Sequence, residues 1–314
     1  MTSVRRETAL HLGLIGVLFC LCFLLPAYHQ GNLARIMVLA TYAVGYNVLF
    51  GYTGLLSLGH AMFFAAGMYG LGLAMQYGGV PALPAFVLGV LAAAVLAAVV
   101  AVLALRTIGV AFMIVTLMFA QAAFLTILHF GTWTRGDEGF VLPQDMRQIA
   151  GLDLTDPVTR YLAALLLFAT ALLITARILQ VSFGHVLVAV RENEERTRML
   201  GYDVFKHKFA AVVISGAISG AAGAGYALLF GYVGATFAAV HYSIFPLLWV
   251  LLGGAGTTIG PLVGAAFMFY LIDYSSGLTN AYMIIAGLVL VLLTLFARTG
   301  IVGEIRRRWV PWLP

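Results

Sequence analysis

Ten apolar runs follow one another along the chain, at about residues 8–28, 33–51, 55–76, 84–105, 108–130, 159–180, 208–231, 243–260, 261–275 and 279–297. A helix that crosses a bilayer core needs about 20 mostly apolar residues. Helix is the economical answer there, because lipid offers nothing to hydrogen-bond an open backbone. Repeated this densely, the runs predict an all-α, polytopic membrane helix bundle of about ten membrane segments. Composition agrees: of 314 residues, 62% are hydrophobic and 9% charged, where a soluble domain carries about a quarter. Too few charges remain to cover a soluble core, so soluble enzyme folds are excluded. The whole of 1–314 reads as a single transmembrane domain.

The charges set an orientation. Arg5, Arg6, Arg106, the basic residues of 177–208 and the group Arg298, Arg306, Arg307 and Arg308 all fall on one side of a ten-span arrangement. Basic loops favour the cytoplasm, so both termini and the 181–208 loop are expected there. The polar stretch 131–158, with Asp137, Glu138, Asp145, Asp153 and Asp156, falls on the periplasmic side. Arg35 is the one exception. The first run is too long for a signal peptide core and is read as a span. The run 261–275 is short and begins with Pro261, which suggests that it pairs with 243–260 as a hairpin of broken or re-entrant helices. Cys20 and Cys22 are read as small apolar residues, since a disulfide at that spacing is strained.

Three glycine-rich segments interrupt the apolar pattern. Residues 51–70 read GYTGLLSLGHAMFFAAGMYG, with five glycines in twenty residues. Glycine weakens a helix, and irregular backbone at membrane depth survives only inside protein or along a cavity. Tyr52, Gly54, Ser57, His60, Phe63 and Phe64 are therefore pathway candidates, with close helix packing as the equal alternative. Residues 215–225, SGAISGAAGAG, favour packing, because small residues let helices approach. Residues 253–264, GGAGTTIGPLVG, predict a sharp break; Gly253, Gly254 and Gly256 join the pathway candidates. Gly51-Tyr52-Thr53-Gly54 and Gly231-Tyr232-Val233-Gly234 lie five spans apart, as an inverted repeat would place them.

The most charged segment, 181–208, predicts a short amphipathic helix. Glu192–Arg196 and Glu194–Arg198 are acid-first i,i+4 pairs. Val186, Val190 and Leu200 supply an apolar side, and Gly201 suits a C-terminal cap. A docking element for a partner is the functional reading; a solvated loop is the alternative. Asp273 and His129, the ionisable groups nearest the spans, fall near the outer interface and read as wetted structural groups. No chain of intramembrane carboxylates appears, which counts against a proton-coupled carrier. The only lysines are Lys206 and Lys208, so no phosphate-binding GxxxxGK[ST] loop exists. Neither metal site nor catalytic constellation is visible. The chain is expected to be a transport subunit, not an enzyme.

The 51–70 segment, the stretch VRENEERTRMLGYDVFKHKFAAVVISGAISGAAGAGYAL and the stretch LLGGAGTTIGPLVGAAF together resemble the permease of branched-chain amino acid ABC importers, LivM type. The resemblance runs from about residue 35 to 300. It implies a bacterial inner-membrane subunit paired with a second, related permease, as a heterodimer. Two cytoplasmic ATP-binding subunits would hold the ATP and Mg, none of it bound by this chain, and a periplasmic binding protein would deliver substrate. The 186–203 helix becomes the coupling helix, in which Arg191, Glu192, Asn193, Glu194 and Gly201 match the family pattern and Arg198 joins the charge pairs. Arg196 and Thr197 stand where the family usually carries small alanines. The implied cargo is a branched-chain or other hydrophobic amino acid. Urea, short amides and aromatic or other small carboxylates are the alternatives on the same architecture, and a stand-alone carrier or channel is the alternative from another class.

Overall fold

A computed structural model describes residues 2–149, 151–277, 282–296 and 299–308. The helices are α1 (Thr2–Leu24), α2 (Ala27–Asn47), α3 (His60–Gln76), α4 (Ala82–Ala104), α5 (Val110–His129), α6 (Gly131–Thr134), α7 (Pro157–Gln180), α8 (Ser182–Glu192), α9 (Glu194–Met199), α10 (Val204–Phe230), α11 (Val240–Gly253), α12 (Gly260–Ser276), α13 (Tyr282–Phe296) and α14 (Gly300–Arg308). A π-helical turn, Val48–Tyr52, continues α2. Among the described residues, six helices are long and apolar enough to cross a membrane: α1, α2 with its π turn, α4, α5, α7 and α10. The chain is a multi-pass, all-α membrane helix bundle. Every predicted run contains one of the longer helices, although α11 stops at Gly253 and α3 starts at His60 instead of near residue 55.

Helix α4 shows how sequence sets the layers. Ala85, Gly89, Ala93, Ala97 and Ala101 recur every four residues and are buried, while Leu83, Val87, Leu91, Val95 and Val99 recur on the opposite face and are exposed. Small residues face protein and branched ones face outward, the arrangement expected where lipid is as apolar as leucine and only close packing distinguishes a neighbour. The partner surface is α10. A Cβ on Gly220 would sit 2.1 Å from Ala93 Cβ, and one on Gly223 would sit 1.9 Å from the Phe64 carbonyl oxygen of α3. Residues 215–225 are thus a packing seam, as their spacing suggested. Helices α2 and α10 run through the middle, and the aromatic rings of Tyr42, Phe64, Tyr242 and Trp249 fill the space between α2, α3 and α11.

The 131–158 stretch is more ordered than a polar loop. Strand β1 (Phe140–Val141) pairs antiparallel with β4 (Tyr232–Val233), and β2 (Gln148–Ile149) pairs with β3 (Leu152–Asp153). Arg147 is buried, and its guanidinium donates to the carbonyls of Leu228 and Leu229 at the end of α10. Those carbonyls lack intrahelical partners at a helix C-terminus, so a fixed cation is well placed there. Arg35 and Arg160 both lie over the Phe230 ring, at 5.1 and 5.8 Å. Arg35, the exception to the charge pattern, is accommodated by that ring.

The two Gly-Tyr-x-Gly motifs lie at opposite ends of the bundle, each after a long central helix and before an irregular stretch. From those stretches α3 and α11 set out toward each other. Their first turns meet where Ser243 Oγ accepts the Ala61 N–H at 2.9 Å. Both helices therefore begin inside the protein, which satisfies part of the orphan N-terminal donor set of α3 without water.

Candidate functional site

At one end of the bundle the π turn, the 254–259 loop and α8 converge. Asn47, in the last turn of α2, clasps the loop: its Nδ2 donates to the Thr257 carbonyl at 2.8 Å and its Oδ1 accepts the Gly256 N–H at 3.0 Å. This close approach requires glycine at 51, where a Cβ would lie 1.9 Å from Asn47 Oδ1 and 2.5 Å from the Gly256 nitrogen. The π turn widens the helix at this point, a distortion common at functional positions. Arg191 then reaches from α8 and donates from Nη1 to the Gly51 carbonyl. Its side chain lies against Gly54, where a Cβ would come within 2.7 Å of Arg191 Cγ. One arginine of the charged segment thus touches both ends of the GYTG motif.

The charged segment itself departs from expectation. It is two helices, α8 and α9, broken at Asn193 in extended conformation (φ −159°, ψ 103°). Asn193 Oδ1 accepts the Arg196 N–H at 2.8 Å and caps α9. Asn-Glu-Glu is a helix-start signature, with acidic residues in the first turn. The break removes the predicted Glu192–Arg196 pair, because the two residues no longer share a helix. Glu194 keeps Arg198 at 3.3 Å and adds a second partner, Lys208 of α10, at 2.5 Å. Val186 and Val190 are buried together with Val204, whereas Leu200 is 70% exposed and lies outside the apolar side assigned to it. Gly201 takes the left-handed backbone (φ +89°) expected of a cap, directly after α9. Thr197 is buried and turns its hydroxyl back to the Asn193 carbonyl, so it fits where a smaller residue was expected. Asp203 caps α10 by accepting the Lys206 N–H. That bond, with Lys206 nearby, holds its carboxyl below the ordinary range.

The pathway candidates separate. Tyr52 and Gly256 border a cavity of about 370 Å³ beside α8. Gly253 and Gly254 form the break of the α11–α12 hairpin, which is so tight that a Cβ on Gly253 would lie 1.8 Å from the Gly260 carbonyl oxygen. Ser57, His60, Phe63 and Phe64 are enclosed by protein. His60 Nε2 meets Ser215 Oγ at 2.7 Å, and that hydroxyl donates to the Gly45 carbonyl, so the shared bond is assigned to an Nε2–H tautomer. Tyr46 donates to the Ser57 carbonyl at 3.0 Å. Asp273 accepts from Tyr28 at 3.0 Å at the opposite end from α8. Sequence reading missed Asn47, His11 and Arg147. Asn47, a lone amide in an apolar run one turn before Gly51, carried a visible signal. His11, whose Nε2 meets Thr258 Oγ1 at 2.7 Å, did not. Among the described residues no group of three or more His, Cys, Asp or Glu could hold a metal ion.

The family described as branched-chain amino acid transport system, permease component, matches residues 30–296. The chain belongs to this family. It is 28% identical to the high-affinity branched-chain amino acid transport system permease protein LivM of Salmonella typhimurium strain LT2, over 86% of this chain and 69% of the relative. The Escherichia coli K12 protein of the same description matches at the same identity and coverage. A probable branched-chain amino acid transport permease protein LivM of Methanocaldococcus jannaschii is 38% identical over 28% of this chain and 26% of its own length. No solved structure matches the chain significantly. In this permease, the stretches that carry the family resemblance are those that build the Asn47–Gly256 clasp, α8–α9 and the α10 seam.

Proposed function

We propose that this permease is one membrane subunit of an ABC importer for branched-chain or other hydrophobic amino acids in the bacterial inner membrane. It has ten membrane segments, with both termini and α8–α9 in the cytoplasm and 131–158 in the periplasm. A second, related permease completes the pathway. Separate ATPase subunits hold ATP and Mg, and a periplasmic binding protein supplies the cargo. The family relationship supports the class, and the names of the relatives support the cargo.

The observation that carries the mechanism is the contact of Arg191 with the Gly51 carbonyl. Segment 181–208 serves as the coupling element docked on an ATPase, through Arg191, Glu192, Asn193, Glu194, Arg198 and Gly201. A displacement of α8 is passed by Arg191 to the π turn, and by Asn47 to the α11–α12 break. The helix ends most exposed to that movement are the irregular ones, where few backbone bonds must be broken. The enclosed state of Phe63, Phe64 and His60 supports a path along the face shared with the second permease, with the bundle interior acting as its rigid wall.

The test is reconstitution of the chain with its partner permease, ATPases and binding protein in liposomes. Leucine uptake should require ATP and all subunits, and urea or benzoate should not replace leucine. Glu194→Lys and Gly201→Pro should each abolish substrate-stimulated ATP hydrolysis while the complex still assembles. Uptake without the ATPases, or unchanged stimulation in both variants, overturns the assignment.

A further inference from the structure

The cavity beside α8 has a chemistry that the coupling role does not use. Its volume of about 370 Å³ lies within the small-molecule range of about 300–1,000 Å³. Its wall is assembled from the regions whose relative movement matters: Glu7 and His11 of α1, Tyr52 of the π turn, Gly256 and Thr258 of the α11–α12 break, Arg191 of α8 and Arg306 of α14. Ala176, Leu179 and Val188 add an apolar side. The Tyr52 hydroxyl is buried and has no hydrogen-bond partner, although Tyr52 lines this cavity. Among the described residues neither Glu7 nor Arg306 is in an ion pair; Glu7 Oε2 accepts from Gln180 Nε2 at 3.4 Å, and Arg191 spends one of its five N–H groups on Gly51.

Two guanidinium groups suit a carboxylate. One carboxylate, Glu7, suits an ammonium. An apolar wall suits a hydrocarbon side chain. A bare anion would leave Glu7 facing it with like charge, and an apolar solute would leave both arginines unmatched.

We propose that this cavity binds a zwitterionic amino acid with an apolar side chain from the cytoplasmic side, and that occupancy restrains the transporter. The carboxylate lies between Arg191 and Arg306, and the ammonium lies at Glu7. A ligand spanning α1, α8, α14 and the loop at Gly256 ties together parts that must separate for α8 to move the hinge. Delivered cargo thereby slows further import. The inference rests on the proposed importer function for its direction, while the binding step stands apart from it.

The first measurement is equilibrium binding of radiolabelled L-leucine to the purified full complex without binding protein or nucleotide. Leucine should bind. Leucinamide, which lacks the carboxylate, and 4-methylvalerate, which lacks the ammonium, should compete at least tenfold more weakly. Glu7→Gln and Arg306→Gln should each weaken binding at least tenfold in complexes that remain monodisperse. The second measurement is ATP-driven uptake by liposomes with the ATPases outward. Leucine added on the ATPase side should slow transport, and both variants should resist it at least tenfold while transporting normally in its absence. No leucine binding, equal competition by leucinamide or by inorganic phosphate, or full inhibition in both variants overturns the site. Leucine binding with no leucine import would instead overturn the importer reading and leave the site standing.

Discussion

The same four-residue pattern closes a long central helix twice, and the bundle secures the two copies differently. GYTG at 51–54 is held by side chains: Asn47 clasps the 256–257 backbone, and Arg191 reaches Gly51 from another helix. GYVG at 231–234 is held by backbone pairing, Phe140 with Val233 and Val141 with Tyr232. A buried arginine then closes the end of α10. Side-chain clasps of a few bonds can open without unravelling an element. A strand ladder over a buried charge cannot, because release exposes several unpaired groups at once. One end of the bundle is held by side-chain clasps and the other by a backbone ladder.

That contrast can be broken most severely at the glycines. Gly51→Val should prevent the permease from accumulating as a folded, monodisperse species, because its side chain would have to displace both Asn47 and the Gly256 backbone. Gly231→Ala should fold with reduced stability, since the atom it meets at 2.6 Å is the tip of the Arg147 side chain and not backbone, although its φ of +75° still penalises alanine. Size-exclusion profiles of the two variants compare them directly, and equal behaviour would erase the distinction.

Arg147→Ala should follow in size. Hydrogen bonds from a charged donor contribute roughly 1.5–3 kcal/mol each, and this change strands two carbonyls. Burial and the neighbouring Arg160 press the Arg147 guanidinium below its ordinary value, while Asp153 offsets part of that. A marked drop in melting temperature is expected. Asn47→Ala should lower the melting temperature less and raise hydrogen exchange at 254–259 selectively, leaving 231–234 protected. Exchange that rises equally at both motifs would mean that the ends are not independent.

The smallest effect concerns pH. Asp156 caps α7 by accepting the Thr159 N–H at 2.9 Å. That bond and the Thr159 hydroxyl hold its carboxyl below the usual range. Its folded value is lower than the unfolded one of about 3.9. The stabilisation is therefore complete above the unfolded value and disappears as pH falls through the folded one. Asp156→Ala should cost a little stability at pH 7, and the wild type should lose that increment only below about pH 4.

Much of the frame could be read from residue order. The glycine seam of α10, the left-handed cap at Gly201 and the α11–α12 break followed from local rules about small residues and backbone. The two-helix form of 181–208 has a local signal too, the Asn-Glu-Glu start at 193, which the charge spacing across Glu192 and Arg196 masks. Leu200 failed for a different reason: an apolar residue on an amphipathic segment is buried only if something packs there. Arg147 looked like one more loop charge, because nothing near it in sequence announces the α10 carbonyls 81 positions later.

Hydrophobic length and the four-residue rhythm of small side chains determined a membrane helix bundle. These are properties of single elements, and an element carries its own periodicity and backbone preferences. Tertiary structure decided which glycine motif is clasped by side chains and which is paired through its backbone. Asn47 and Thr257 are 210 residues apart, and Arg191 and Gly51 are 140 apart. Contacts at that separation depend on how whole helices pack, so no local pattern in the chain encodes them.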